Sequence, residues 1–491
     1  AWLFAGSALL LTPGTHYELR LSLHDPDGGT HQVQCAARTL TEPVWTSPDW
    51  RVLHVAPGAG GGSGSATDPL RGLAAAQRAA KPGTLCLLQP GRYPGTFDVR
   101  QSGEPGRPIV WRGPADGSAV LGGPDELGRP AAVGISASGR HDVWFDNLTV
   151  RHADYGIVAH DAQRLVVRHC QVRDCEYGFT CTRNAQGQVH GLFLTDNLMV
   201  GPSTWPRQKG IENARGIQIT GSGHVVAYNR IRGYADAIDT FPSPVCAAID
   251  VHNNELSELT DDGIEMDYSE RNTRCFHNRL TNVFQGISLQ PVYGGPVYVF
   301  RNAIYNVCVE TFKLHNSPSG GLFFHNTSVK QGVALTVMTD RPVRNCVMRN
   351  NLFLGTADTY VVCFDAPMEG CDFDFDGFAM TGTFDRFLKW NGVRYAAFPD
   401  VLATAPVYRH AQWLDAAQLL AAPAASPPND PAQMWPAADL RLRPDAQAVD
   451  AGTPLTGIND RFTGRAPDLG AYECGADLPH YGPRPLPESG K

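Results

Sequence analysis

The chain has 491 residues, 42% hydrophobic and 18% charged, with 51 Gly and 37 Pro, a mix that suits a turn-rich β protein. Forty-one Lys and Arg against 49 Asp and Glu leave a net charge of −8, which lacks the basic excess of a nucleic-acid binder. No run of about 18 apolar residues is present, so no membrane span is read.

The apolar start (Leu3, Phe4, Ala8 to Leu11) has no basic flank and soon meets Pro13 and Gly14, so it does not read as a signal peptide and the chain is expected to be already processed. The 12 Cys are scattered without a Cys-x-x-Cys pair, which argues against a structural zinc site. Cys363 and Cys371 are the pair expected to form a disulfide, and most of the others are expected as buried thiols.

From the N-terminus, Leu11-Thr12-Pro13-Gly14-Thr15-His16-Tyr17-Glu18-Leu19 is followed by Asp25-Pro26-Asp27-Gly28-Gly29 and a closing strand near Val33. This order resembles the rear half of a fibronectin type III domain, where a Tyr near the start of a sandwich strand ties a corner through its hydroxyl. Residues 1–46 are therefore expected to be a partial module of that kind, and 47–66, with the Gly-rich run from Gly58 to Ser65, a linker. Asp68 is expected to cap a helix reaching about Ala80, which Pro82 and Gly83 end.

Beyond this point the sequence repeats. Apolar strands end in Asn147, Asn197, Asn229, Asn254, Asn278, Asn302, Asn326 and Asn351, with Cys170 filling one place, at gaps of 23, 27, 32, 25, 24, 24, 24 and 25. A period near 24 with short strands predicts one helical coil per repeat, stacked ~4.8 Å apart. Asn suits the tight turn because it tolerates the left-handed backbone region and stacked copies can hydrogen-bond. The predicted fold is all-β, a right-handed parallel β-helix over 67–360, with 361–491 packing on the last coils and carrying no site of its own.

A second strand in each coil reads small, apolar, variable, apolar, variable, as in Gly216-Ile217-Gln218-Ile219-Thr220 and Gly263-Ile264-Glu265-Met266-Asp267. Alternation sends the variable residues outward. One outward column then runs Val158, Thr180, Gln218, Asp239, Glu265, Ser288, Lys313, Thr336, and the flanking ones include Arg215, Asp236, Asp262, Gln285, Glu310 and Asp267, Gln290, His315. Asp236, Asp239, Asp261, Asp262, Glu265 and Asp267 place six carboxylates on two adjacent coils. Like charges on neighbouring strands repel, and a hard cation that accepts oxygen ligands, Ca²⁺, is the simplest compensation. Protonation of one carboxyl as a general acid is the other.

Asp261-Asp262-Gly263-Ile264-Glu265, one coil after Asp236 and Asp239, with Phe312-Lys313-Leu314 further on, resembles the family-nine polysaccharide lyases, the β-helical pectate lyases. The resemblance implies that Asp261, Asp262, Glu265 and Asp236 or Asp239 bind Ca²⁺ and that Lys313 is the base that abstracts a uronate proton. Two features depart from that family: Glu265 stands in place of Asp, and one coil separates the acidic cluster from Lys313, a distance of ~9.6 Å. Pro90-Gly91-Arg92-Tyr93 and Pro467-Asp468-Leu469-Gly470-Ala471-Tyr472-Glu473 resemble segments of secreted β-helical carbohydrate enzymes.

An acidic polysaccharide substrate, a monomer and a secreted location are expected. Catalytic roles fall on Lys313, Glu265, Asp262 and His315, the last as base or binder. Glu310 is a candidate ion partner of Lys313 and, with Arg215, Gln285, Gln290, Tyr293, Arg271 and Trp205, a candidate substrate contact. Arg274 and Arg301 are further cations after the acidic coil, and Trp205, Arg207 and Lys209 lie in the longest gap, suited to stacking on a sugar and pairing with its carboxylate. The acidic cluster also resembles that of the inverting polygalacturonases. A C5-epimerase and a non-catalytic glycan-binding β-helix remain open.

Overall fold

A computed structural model describes residues 6–44, 50–124, 128, 130–208, 213–422 and 429–486. It is an all-β parallel β-helix. One central coil shows how the sequence builds it. Asp250–His252 runs along a first face, Asn253 and Asn254 turn the chain, and Glu255–Glu265 covers a second and a third face as one bent strand. The bend is at Glu258, whose φ is 60°. The next coil repeats this in register, with Arg274 beside Asp250 and Leu280 beside Leu256.

Apolar residues alternate into the bore. On the third face Ile217, Ile238, Ile264, Ile287 and Phe312 are successive neighbours in register, each at most 2% exposed. Burial of each such side chain contributes ~1.5–3 kcal/mol. The same alternation puts Gln218, Asp239, Glu265, Ser288 and Lys313 side by side on the outside.

At the corner between the first and second faces the Asn side chains form an unbroken chain of hydrogen bonds from Asn197 through Asn229, Asn254, Asn278, Asn302 and Asn326 to Asn351. In each step the backbone N–H and the side-chain amide of one Asn both donate to the Oδ1 of the next, as from Asn254 to Asn278 at 3.1 and 2.9 Å. The left-handed backbone, however, belongs to the preceding residue: Asp196, Tyr228, Asn253, His277, Arg301, His325 and Asn350 all have positive φ. Asn147 occupies that left-handed position itself (φ 54°), so it stands one place before the ladder and Leu148 aligns with Cys170. Asp376 closes the ladder by accepting both donors of Asn351.

The boundaries differ from those read in the sequence. Arg51–Ala56 already pairs with Thr84–Leu88, so the coils begin inside the expected linker. The Gly-rich run folds back as a loop in which the Gly64 carbonyl accepts from His54, and a Cβ at Gly62 would stand 2.0 Å from the Pro69 oxygen. Asp68 serves this loop, accepting from the Ser63 N–H, and the helix Leu73–Ala79 starts later, behind Gly72. Coils also continue past 360, since Leu352–Ala357 pairs with Gly377–Gly382 and Tyr360–Phe364 with Arg386–Trp390.

Of the expected sandwich the described residues show one antiparallel hairpin, His16–Asp25 with Gly29–Arg38, whose Tyr17 hydroxyl accepts from Thr12. All 12 cysteines are free thiols. Cys363 lies in a strand beside Thr336 and Lys389, whereas Cys371 is held against Cys346 in the next coil turn, so the expected disulfide pair is kept apart. Among the described residues no helix is long and apolar enough to cross a membrane.

After Trp413 the chain returns along the outside of the coils. Asn306 donates to the Pro431 carbonyl, Asn282 to that of Trp435 and Asn253 to that of His480, Arg301 pairs with Glu473, and Arg484 donates to Asp196. This segment thus packs on the middle coils as well as on the last ones.

Candidate active site

The outer surface of the third face carries the charged stripe. Asp236–Thr240, the end of Glu255–Glu265, the end of Arg279–Ser288 and Phe312–Lys313 lie next to one another. A register shift between Leu259 and Asp262 sets Thr260 and Asp261 of one coil opposite the single Phe284 of the next, a β-bulge. The bulge separates the two adjacent acids. Asp262 is fully buried among the coils, and the Asp262 N–H donates to Asp236 Oδ1 at 2.7 Å. Asp261 turns instead to Arg207 Nη1 at 3.5 Å.

One oxygen each of Asp236, Asp262 and Glu265 lies within 4.8 Å of the others. Asp262 Oδ1 is buried and accepts no hydrogen bond, whereas the buried Asp236 Oδ2 lies against Arg215. Asp236 is balanced by Arg215 Nη1 at 2.5 Å, and Asp239 accepts from Gln218 at 2.6 Å with Arg215 Nε at 3.5 Å. An all-oxygen donor set with one orphaned buried oxygen, Asp262 Oδ1, fits a hard divalent cation such as Ca²⁺. Of the five residues expected to hold the ion, Asp236, Asp262 and Glu265 come together, Asp239 stands at their edge, and Asp261 is turned away.

The electrostatics of the stripe follow from burial. Six carboxylates face Arg207, Arg215 and Lys313 among the described residues; Lys209 lies outside them. Burial pushes Asp239 up to about 6 and holds the Asp236 carboxyl well above the usual range, Arg215 opposing and the neighbouring acids adding to it. Burial and then Asp236, Asp239 and Asp267 likewise raise Glu265. Asp267, also raised by burial, accepts from the Ser288 hydroxyl and the Gln290 N–H at 2.8 and 2.6 Å.

Lys313 donates to Asp262 Oδ2 at 2.6 Å, so the coil between them is bridged by the long lysine side chain, and its partner is Asp262 rather than Glu310. Burial alone would favour the neutral amine, but Asp262, Asp267 and Glu265 raise the Lys313 pKa on balance.

Glu310 is fully buried and pairs with His315 Nε2 at 3.0 Å, which removes it from direct substrate contact. Gln285, 8% exposed, is similarly occupied, accepting from the Glu310 N–H at 2.8 Å. Trp205 is nearly buried and donates to the Gln433 carbonyl, so it anchors its loop to the returning C-terminal segment instead of offering a stacking face. Arg207 lies over the Phe284 ring at 4.5 Å.

Arg271 pairs with Glu270 at 2.9 Å on the turn leading away from the stripe, and Arg274 and Arg301 pair with Asp250 and Glu473 off the site. Tyr293 is 59% exposed on the strand that follows Gln290. Gln218 and Ser288 stood in the outward columns but gained a role only through the carboxylates they hold.

No sequence-family model matches the chain. A stretch of 150 residues is 27% identical to the uncharacterized protein YwoF of Bacillus subtilis (strain 168), spanning 28% of this chain and 31% of that one, so the match covers less than a third of the relative's length. Similar solved structures include pectate lyase Pel9A, 16% identical over 86% of this chain and 96% of that chain with a TM-score of 0.43. A rhamnogalacturonan lyase is 11% identical over 77% and 95%, with a TM-score of 0.45. The GH136 lacto-N-biosidase from Eubacterium ramulus is 12% identical over 65% and 67%, also at 0.45.

Proposed function

We propose that the chain is a secreted polysaccharide lyase that cleaves a uronic-acid polymer by β-elimination at the stripe from Asp236 to His315. The observation that carries this reading is the trio Asp236, Asp262 and Glu265, the first two fully buried and Asp262 Oδ1 without a donor, beside Lys313 on the same outer face. Elimination needs the uronate carboxylate neutralised, a base for the C5 proton and help for the departing O4. Asp236, Asp262 and Glu265 would hold a divalent cation, whose charge would offset the substrate carboxylate and reduce the proton affinity of Lys313. Lys313 Nζ then takes the C5 proton. Arg215, 17% exposed beside Asp236, and Arg207 are the cations placed to orient uronate groups.

A panel of uronic-acid polysaccharides, with Ca²⁺ or with chelator, tests this by the ultraviolet absorbance of the unsaturated product. Growth of the signal, lost with chelator and in Lys313→Ala, is the expected result.

One observation favours a second reading. Asp239, pushed up to about 6 by burial, and the raised Glu265 are carboxyls able to stay protonated near neutrality, as the general acid of an inverting glycosidase must. Reducing ends released without the chromophore would move the assignment to hydrolysis.

A further inference from the structure

Elimination as described has a base and a pocket for a cation, but the departing O4 has no proton donor. Two residues beyond Lys313 the fold supplies a second proton-transfer group. Phe312 and Leu314 are buried, so Lys313, which ends the strand Phe312–Lys313, and His315, two residues on, both project outward, with extended backbone between them setting their Cα atoms ~6.6 Å apart. His315 is partly open, with 24% side-chain exposure, and its Nε2 lies 3.0 Å from one oxygen of the fully buried Glu310 and 3.2 Å from the other. Glu310 is itself held in place: Oε1 accepts from the Met338 N–H at 3.1 Å, and its own N–H donates to Gln285. The carbonyl of the preceding Val309 accepts from the buried Lys330 ammonium. A carboxylate fixed from several sides sets both the ring orientation and the tautomer of the imidazole it faces.

We propose, resting on the lyase reading, that Glu310 is a positioning residue holding the His315 Nε2–H, and that His315 donates a proton from its outward Nδ1 to the leaving O4. His315 enters the step protonated on both nitrogens. Lys313 takes the C5 proton, the C5–H electron pair becomes the C4–C5 π bond, the C4–O4 pair moves to O4, and O4 takes the Nδ1 proton. His315 is left neutral with Nε2–H on Glu310 and regains its proton from solvent. Glu310, which touches no substrate, acts only through His315.

The test compares wild type, His315→Ala, Glu310→Gln and Lys313→Ala on two substrates, the natural polymer and a uronoside whose O4 carries a nitrophenyl group, a leaving group that needs no acid. On the polymer, loss of the acid should lower kcat by ~10²–10⁴-fold with little change in KM. On the nitrophenyl substrate His315→Ala and Glu310→Gln should stay within a few-fold of wild type while Lys313→Ala stays inactive. Equal losses on both substrates, or full polymer activity in either variant, would overturn the proposal.

Nitrogen-15 NMR of the histidines provides a readout independent of activity. The His315 Nε2–H signal should be present in wild type and lost or exchange-broadened in Glu310→Ala, with thermal melting confirming that the variant is folded. A neutral His315 protonated on Nδ1 instead would refute the positioning role. Absence of elimination from every uronate substrate would defeat the lyase reading and the O4 step with it, while the NMR result still judges the orientation.

Discussion

The end of the Asn ladder offers a sharp test of what holds the coils together. Asp376 occupies the position that Asn fills in the preceding coils, accepting from the Asn351 N–H and amide at 2.7 and 2.9 Å through Oδ1, while Oδ2 is buried without a donor. Burial pushes its carboxyl up from 3.8 to about 7, against the hydrogen bonds from Asn351. The native state therefore binds this proton more tightly than the unfolded chain, and wild type loses stability as pH rises from about 4 to about 7. At 1.36 kcal/mol per pH unit the charged form costs about 4 kcal/mol by neutral pH.

Asp376→Asn keeps the acceptor and places an amide donor at the orphaned oxygen, near the Met348 carbonyl that register sets beside Phe323, the group serving Asn351. Urea unfolding followed by tryptophan fluorescence should show the variant more stable than wild type by about 5 kcal/mol at about pH 8. The advantage should shrink to about 1 kcal/mol at about pH 4, where the acid is neutral. The site carboxylates titrate in both proteins and cancel in the difference. A variant no more stable than wild type at the higher pH, or an advantage independent of pH, would refute the reasoning.

Three further outcomes are expected. Asn278→Ala removes five side-chain hydrogen bonds, four with the Asn254 N–H, the Asn254 amide, the Val251 carbonyl and Asn302 and a weaker one to Cys275 Sγ, and at ~1 kcal/mol for each of the four should cost about 4 kcal/mol in urea unfolding; a loss under about 1 kcal/mol would show the ladder to be incidental. Ca²⁺ at about 100-fold over its Kd should stabilise the protein by ~2.7 kcal/mol in thermal melting, an effect absent in Glu265→Gln and shrinking as pH falls, since protons compete for the raised Asp236 and Glu265 carboxyls. Thiol titration in denaturant without reductant should count 12 free cysteines, and a smaller count would reveal a disulfide.

The coil architecture was legible because it rests on two local signals, alternation and a repeated Asn, and both act through neighbours about 24 residues away. The outward column from Gln218 through Asp239, Glu265 and Ser288 to Lys313 could be written from the sequence and is the register of the strands. Side-chain direction at bends and bulges carries no such signal. Asp261 and Asp262 read alike as a pair, yet the bulge sends one to Arg207 and buries the other. Glu310 was read into an outward column, but it lies before the strand Phe312–Lys313, where alternation no longer holds, and it is fully buried against His315. The returning C-terminal segment was unreadable for a different reason: its contacts, Gln433 on Trp205 or Glu473 on Arg301, join residues hundreds apart and leave no period.

The ladder, at the corner between the first and second faces, and the acidic stripe, on the third face, occupy the same coils, and this arrangement explains how the stripe persists. Asp236, Asp262 and Glu265 disfavour folding, since close like charges repel, and burial makes Asp236 and Glu265 more easily neutralised than ionised. A loop carrying them would move apart. Here the strands that bear them are fixed on one side by the buried Ile238, Ile264 and Ile287 and at the next corner by Asn229, Asn254 and Asn278. Spacing is then set by the strand separation of ~4.8 Å and not by the charges. On the proposed lyase reading, a site held close and under-compensated in this way would meet a cation and an anionic sugar without first reorganising, which is where catalytic electrostatics draw their strength. Substitutions that neutralise the stripe and substitutions that break the ladder should therefore act in opposite directions on stability while both reducing turnover.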